Sequence, residues 1–263
     1  MGRRVGSGGH VLKNRFFCAA AAAGLVFGLQ PAAANDLASP ARSTWSGCYV
    51  GANAGYAGAD AEATDMPFID GPYAGLGISW NDPAYETIGS QDNGLTAGVE
   101  AGCDRQFDLG NHAFVIGGVV DFALTDLGAT GTSAIVGDTH TQFDMDWAAS
   151  ARLRVGAAAS DVLFYATGGV AIANIDARAY DQSSSPTSGL MDISGGGTQT
   201  GWVAGGGVEW RFKPGWSLGL EYLHYDFGSV TATGAATFPT EAFPRFENDV
   251  TFDTIRIGLK WRM

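Results

Sequence analysis

Three polar residues that lie close together in the chain have side chains suited to nucleophilic chemistry: His224, Asp226 and Ser229. A serine nucleophile needs a base within hydrogen-bond reach, and that base needs a third group to orient it. The three residues are the best local grouping of this kind, but their spacing along an extended segment establishes neither contact. We therefore predict no catalytic residue and predict that the chain is not an enzyme.

Charged side chains form a second group with chemical potential, because they alternate with apolar residues along extended segments. If the apolar faces of these segments point to lipid, the charged faces share one interior, where an unpaired charge is costly. Acids and bases of similar number then predict a lumen network of salt bridges. Its predicted members are Glu100, Asp121, Arg152, Arg154, Glu209, Arg211, Glu221, Arg256 and Lys260.

The elements that position these residues are strands, as the end of the chain illustrates. Ile255, Ile257 and Leu259 fall on one face of an extended segment, whereas Arg256 and Lys260 fall on the other. Seven other segments also predict strands. The eight predicted strands cover residues 45–56, 94–104, 113–124, 145–157, 162–173, 198–212, 216–227 and 251–263.

The connections between these strands alternate in length. Long polar segments cover residues 57–93, 125–144, 174–197 and 228–248, and short turns cover 108–111, 158–161 and 213–215. A soluble sandwich has no reason to sort its loops in this way, whereas an outer-membrane barrel has short periplasmic turns and long external loops. We predict an all-β fold, an eight-stranded antiparallel up-and-down transmembrane β-barrel with four long extracellular loops.

Tryptophans near the ends of the predicted strands fit a membrane barrel, because an indole is favourable where lipid meets water. We expect them to form aromatic girdles at the two interfaces. These residues are Trp45, Trp147, Trp202, Trp210, Trp216 and Trp261.

The first residues read as an export signal. Four basic residues and no acid precede an apolar run at 16–29, and small residues at 32–34 are suited to cleavage. The predicted organisation is a signal peptide at 1–34, a short N-terminal lead at 35–46 and a barrel at 47–263. Without the signal, Lys and Arg number 11 against 27 acids, so the net charge is 11 − 27 = −16, which disfavours nucleic acid as a partner.

Two cysteines remain after the signal, Cys48 and Cys103, on the apolar faces of adjacent strands near their short-turn ends. They are too few for a disulfide framework and lack the spacing of metal ligands. If the first hairpin is antiparallel with the register implied by these strand bounds, they lie opposite each other. A cross-strand disulfide is then one hypothesis, and two free, lipid-facing thiols are the other. The acidic long segments lack the spacing of an EF-hand, so we predict no metal site and no cofactor.

Three stretches carry a family resemblance: W-S-G-C-Y-V-G-A-N-A-G-Y at 45–56, G-L-E-Y-L-H-Y-D-F-G at 219–228 and I-R-I-G-L-K-W-R at 255–262. With the repeated Gly-x-Gly pairs, they resemble small outer-membrane surface proteins of alphaproteobacteria, the porin-family or OmpA-type β-barrels. The resemblance covers residues 45–263. It implies location in the cell outer membrane and a structural, envelope-integrity role. The implied partners are outer-membrane lipid, lipopolysaccharide, the barrel-insertion machinery, and host or phage ligands at the acidic loops.

The resemblance also leaves other functions open. The main alternative is a narrow porin-like channel for small solutes, since many predicted lumen positions are glycine. Some relatives bind haem, for which Tyr73, Trp80 and Tyr85 are the aromatic loop candidates. Some eight-stranded barrels modify lipid A, although the segment at His224 lacks the His-x-Ser-Asn pattern of the deacylases. Such chains usually end on Phe, whereas this one ends on Met263, so the insertion machinery either reads this end less efficiently or uses Trp261.

Overall fold

The computed structural model of this 263-residue chain describes residues 44–263 except 82, 111 and 183–189. The predicted signal peptide and most of the predicted lead lie outside the described residues. Within the described part, no helix is long and apolar enough to cross a membrane.

The described residues form eight strands, and each strand pairs with its neighbours in antiparallel fashion. The strands are β1 (Gly47–Met66), β2 (Thr87–Leu109), β3 (His112–Thr132), β4 (Thr139–Ala159), β5 (Val162–Asp181), β6 (Asp192–Lys213), β7 (Trp216–Thr233) and β8 (Arg245–Arg262). They follow one another around a closed barrel, in which β8 pairs with β1. This confirms the predicted eight-stranded up-and-down barrel. Because the barrel closes, the sheet has no free outer edge in the membrane.

Next to the short turns, the outer faces of the strands are mainly apolar, and the inner faces carry buried charged residues together with apolar ones such as Val115 and Leu163. In β8, Ile255, Ile257 and Leu259 are exposed on the outer wall, and the intervening Arg256 and Lys260 are buried in the lumen. This is the alternation that a lipid-facing barrel requires. The membrane-spanning part of β1 ends near Tyr56, which is outward and exposed.

Beyond Tyr56, toward the long connections, the pattern reverses: apolar side chains point inward and polar side chains point outward. The reason is that the outer half of the barrel is surrounded by water. In β1, Ala57, Ala59 and Ala61 are buried inside, whereas Asp60 and Glu62 are exposed outside. The strands therefore extend into all four long segments, so the connections are shorter than the polarity of these segments predicted. The connections themselves are only residues 67–86, 133–138, 182–191 and 234–244.

The interior of the outer half is an apolar core. Tyr225, Phe227 and Phe252 stack in parallel, with 4.2 Å between the ring centroids of Tyr225 and Phe252. Bulky residues such as Phe143 and Ile175 complete this core, and each is almost fully buried. A second apolar cluster lies under the connection at 67–86. The outer end of the barrel is filled by side chains.

The opposite, periplasmic end is closed by Trp45. We expected this indole in a lipid-facing girdle, but it is fully buried with Leu163 and Tyr165 inside the barrel mouth. Its Nε1 donates to the carbonyl of Ser160 at 3.4 Å, and its own carbonyl accepts from Arg262 at 2.6 Å. The chain enters β1 across the mouth, and for this reason Trp45 points inward. By contrast, Trp202, Trp210 and Trp261 are exposed on the outer wall.

Candidate functional site

The lumen at membrane level contains two layers of charged side chains. The upper layer, nearer the long connections, joins Arg152 and Arg256 to Asp121 and Glu221. Arg152 contacts Asp121 at 2.8 Å and Glu221 at 3.0 Å. Arg256 contacts the same two acids at 3.2 and 2.6 Å. Each base therefore bridges both acids, and the four charges cancel within one closed ring.

Neutral hydroxyls complete the upper layer. Ser150 donates to Asp121 at 2.5 Å, and the hydroxyl of Tyr165 donates to Glu221 at 3.1 Å. These bonds use acceptor sites that the arginines leave open. Since buried carboxylates are stable only when their lone pairs are satisfied, the layer is a self-contained structural unit.

The lower layer lies closer to the short turns and is centred on Glu209, which is fully buried. Glu209 contacts Arg154 at 2.9 Å, Lys260 at 3.4 Å and Arg262 at 3.6 Å. Asp104 contacts Arg262 at 2.9 Å and Arg154 at 3.6 Å.

Glu100 completes the lower layer through Lys260, at 3.4 Å. Three acids therefore face three bases, so this layer is also electrically balanced.

Aromatic faces separate the bases of the lower layer. Arg154 lies 4.2 Å from the ring centroid of Tyr165 and 5.6 Å from that of Tyr49, and Arg262 lies 5.0 Å from Tyr49. Arg154 also donates to the Tyr49 hydroxyl at 3.1 Å. Cation–π contacts of this kind stabilise desolvated cations and fill the space between like charges.

The membership of the network differs from the prediction at three positions, because Arg211 lies outside it and Asp104 and Arg262 belong to it. Arg211 lies lower, at the barrel mouth, where its guanidinium covers Trp45 at 4.2 Å and donates to the carbonyl of Thr44 at 2.7 Å. Its strand has nearly ended, and the aromatic ring at the mouth offers a contact there. Sequence reasoning omitted Asp104 and Arg262, although both fall on the inward face of their strands. The other predicted members all lie in the two layers.

Cys48 and Cys103 are joined by a disulfide in the structure, between directly paired positions of β1 and β2. Both lie on the outer wall near the short-turn end. The bond links residues separated by 55 positions in the sequence. It therefore covalently ties the first hairpin together across its long outer connection.

A match to a known family accompanies this architecture. The family model described as the outer membrane protein beta-barrel domain matches residues 19–262. The chain belongs to this family. The family and its relatives place this β-barrel in the outer membrane, as the sequence pattern predicted.

Named relatives share much of the chain. The 31 kDa outer-membrane immunogenic proteins of Brucella melitensis and Brucella suis are each 28% identical over 223 residues, covering 83% of this chain and 84% of the relative. Neisserial surface protein A is a similar solved structure, with 16% identity and a TM-score of 0.38, covering 83% of this chain and 98% of that one. Ail of Yersinia pestis has 14% identity and a TM-score of 0.35, covering 82% and 99%.

In this outer-membrane β-barrel, Ser229 and His224, two of the three residues considered for nucleophilic catalysis, contact different acids and not each other. The Nδ1 atom of His224 lies 2.8 Å from Asp253, which also accepts from the Tyr222 hydroxyl at 2.6 Å. Ser229 instead donates to Asp249. These two pairs are four positions apart in β8, or roughly 13 Å along an extended strand. The serine therefore lies beyond hydrogen-bond reach of the imidazole.

The aromatic residues considered for a flat ligand are in packing contacts or apart from one another. Tyr73 and Trp80 pack on the apolar cluster beneath the connection at 67–86, whereas Tyr85 is 62% exposed. The Nε1 atom of Trp80 donates to Asp181 at 3.0 Å. Across the described residues, no three His, Cys, Asp or Glu side chains are grouped so as to hold a metal ion.

A buried polar cluster fastens the connection at 67–86 to the barrel. The carboxylate of Asp65 accepts from the backbone amides of Trp80 and Asn81, at 3.3 and 2.6 Å. Asn81 also donates to Glu86 at 2.8 Å. Asp65 is fully buried, and burial raises its pKa to about 6. Burial also raises the pKa of Asp181, which takes part in the same cluster through Thr139.

Proposed function

We propose that this family member is a closed, non-conducting surface protein that has a structural role in the outer membrane and no enzymatic activity. The observation that carries this proposal is the continuous filling of the barrel. Trp45 fills the mouth, two balanced charge layers fill the membrane level, and an apolar core fills the outer half. An eight-stranded barrel is just wide enough to be filled in this way.

The charge layers disfavour the porin-like alternative for an energetic reason. An ion crossing the lumen would have to break contacts such as Arg152–Asp121 or Arg154–Glu209, both of which are almost fully shielded from water. Separating the partners of a buried pair leaves each charge without its compensation, which is energetically unfavourable. Many lumen positions are glycine, but neighbouring side chains and backbone occupy the space beside them. A Cβ at Gly102, for example, would lie 2.5 Å from the Tyr49 hydroxyl.

Single-channel recording in planar lipid bilayers tests this proposal. The purified barrel should give no discrete openings under conditions in which an open porin conducts. A triple variant, Arg152→Ala, Arg154→Ala and Tyr49→Ala, lacks three large lumen side chains. Its conductance is compared with that of the unaltered protein. Reproducible unitary conductance from the unaltered protein would overturn the closed-barrel proposal and favour the solute channel.

The envelope role rests on the lipid-facing belt and on the polar wall above it. We propose outer-membrane lipid, lipopolysaccharide and the barrel-insertion machinery as partners, with host or phage ligands at the external surface and no nucleic acid. The belt offers apolar contact to acyl chains through residues such as Leu153, Phe164 and Ile257. Deleting the chain from its host should increase entry of a bulky apolar dye, and re-expression should reverse this. Unchanged dye entry would contradict the structural role and leave the closed barrel intact.

A further inference from the structure

The outer tip of the barrel exposes large apolar side chains far above the membrane belt. We call this set the crown; it lies on the connections at 67–86, 133–138 and 234–244, and its members are each between 37% and 65% exposed. The crown consists of Ile69, Leu76, Ile78, Tyr85, Ile135, Val136, Phe238 and Phe243. In β1 the strand continues ten residues beyond Tyr56, roughly 33 Å along its own direction. Lipid of the outer membrane therefore does not cover these side chains.

Contacts between the three connections hold the crown together. The carboxylate of Glu86 accepts from the hydroxyl of Ser133 at 2.6 Å and from the backbone amide of Ile135 at 3.3 Å. The ring of Phe243 packs over Gly71, where an added Cβ would lie 3.1 Å from it. These contacts fix the connection at 67–86 to both of the others. An apolar surface that is ordered before binding loses little conformational entropy when a partner docks.

Tyr85 is held in an unfavourable backbone conformation at this surface. Its φ angle is +68°, in the left-handed region that residues with a Cβ seldom adopt. Its amide donates to the carbonyl of Asp65 at 2.9 Å, which ties the strained residue to β1. Strain of this kind persists where the surrounding structure enforces it, and it is concentrated at functional surfaces. Its effect is to keep an aromatic ring in solvent.

The wall beneath the crown is acidic. Its exposed or half-exposed acids are Asp60, Glu62, Asp126, Asp144, Asp146, Asp176, Asp192, Asp226, Glu247, Asp249 and Asp253. The arginines on the described part of this wall are Arg178 and Arg245, and each forms an ion pair with an acid of the wall. The field around the crown is therefore negative, which attracts basic partners and repels anionic ones.

From these features together, we propose that the crown binds a basic, amphipathic segment of a partner protein. The apolar side chains of the segment contact the crown, and its Lys or Arg side chains face the acidic wall. An exposed apolar patch of this kind is characteristic of an interaction site. An anionic membrane surface is the less favoured occupant, because the same wall repels it. The inference goes beyond the structural role, since a closed barrel without a partner satisfies that role equally well.

Binding to the intact protein in lipid nanodiscs tests the inference with three probes. The probes are a synthetic basic amphipathic peptide, a peptide with the same apolar face but Glu in place of Lys, and anionic lipid vesicles. The basic peptide should bind at least tenfold more tightly than the acidic one, and raising the salt concentration should weaken the binding of the basic peptide. Equal binding of the two peptides, or a preference for vesicles, would overturn the proposal.

Two variants separate the contributions of the crown and the wall. The crown variant Ile135→Ser with Val136→Ser should lower the affinity for the basic peptide at least fivefold, because two apolar contacts are lost. The wall variant Asp60→Asn with Glu62→Gln should slow association and reduce the salt dependence. Both changes lie at exposed positions, and urea unfolding should remain as in the parent protein. Unchanged peptide binding by the folded crown variant would refute the proposal, whereas barrel conductance tests the proposed function separately.

Discussion

The Nε atom of Arg256 lies 2.8 Å from the Oε2 atom of Glu221, inside the lumen and between directly paired positions of β7 and β8. A register slip of one residue would turn the side chains of the slipped strand to the opposite wall. The charge of that strand would then face lipid, and its partner would remain unpaired inside. The pair therefore helps to specify how the barrel closes.

Removing one member of this pair should be more harmful than removing both. Arg256→Met leaves Asp121 and Glu221 with less compensation in a buried site, so we expect a loss of about 3 to 5 kcal/mol in the free energy of unfolding. Adding Glu221→Gln removes the surplus charge and leaves Arg152 paired with Asp121. The double variant should therefore be more stable than Arg256→Met alone, as measured by urea unfolding in lipid vesicles.

An exposed ion pair provides the control for this comparison. Arg178 and Asp192 lie 2.7 Å apart on the outer wall, and both are about half exposed. Arg178→Met should cost less than about 1 kcal/mol, because water already screens the pair. If this variant and Arg256→Met lose equal stability, the lumen layers do not carry the proposed structural role.

The disulfide makes a second prediction. Intact-mass analysis of the mature protein under non-reducing conditions should show no alkylatable thiol at Cys48 or Cys103. The double variant Cys48→Ser with Cys103→Ser should still form the barrel but unfold more easily. The loss should reach at most about 4 kcal/mol, since the bond closes a loop of 55 positions in the unfolded chain. Recovery of two free thiols from the folded protein would contradict the linkage.

The position of Trp45 can be tested with lipids brominated in their acyl chains. Trp45 and Trp210 both lie toward the periplasmic end, but Trp45 is fully buried and Trp210 is 53% exposed on the lipid side. In variants that each retain one of these two tryptophans, the bromine atoms should quench Trp210 strongly and Trp45 weakly. Equal quenching would mean that Trp45 belongs to a girdle.

Lowering the pH should stabilise the folded connection at 67–86 through protonation of Asp65. Its pKa in the folded protein is about 6, above the value of about 3.9 in an unfolded chain. The folded form therefore binds the proton more tightly, and the contribution of this group to stability falls as pH rises from about 4 to about 6. The difference between the two pKa values corresponds to a change of up to about 3 kcal/mol in the free energy of unfolding, at about 1.36 kcal/mol per pKa unit.

Hydrogen exchange at the amides of Trp80 and Asn81, corrected for intrinsic rates, measures this effect. Protection should decrease between pH 4 and pH 7 in the parent protein, and the dependence should disappear in Asp65→Asn. Asp60→Asn is the matched control, because Asp60 is exposed on the outer wall, and it should keep the parental profile. A decrease of the same size in Asp65→Asn would assign the pH dependence to another group.

The membrane half of the fold can be predicted from the sequence, because lipid requires an apolar outer face and charged residues that alternate with apolar ones must then face the lumen. Arg256 and Lys260 could be assigned to the lumen for this reason. The strands of the outer half do not follow from the sequence, since their alternation pairs small alanines with acids, as from Ala57 to Glu62, and an acidic stretch resembles a loop. Trp45 could not be placed, because its position depends on how the chain crosses the mouth and not on strand period.

The reversal of polarity along each strand also affects how the barrel reaches its final place. Carboxylates such as Asp60 and Glu62 lie on the outer wall, so they must traverse the hydrocarbon layer before they meet external water. A charged residue at the bilayer centre costs about 2.5 to 3.5 kcal/mol on insertion scales, and most strands carry at least one such acid. The same distribution of charged and apolar side chains that stabilises the finished barrel in lipid and in water therefore disfavours its unassisted insertion into the membrane. We expect translocation of the outer wall, rather than closure of the membrane belt, to limit the rate of assembly.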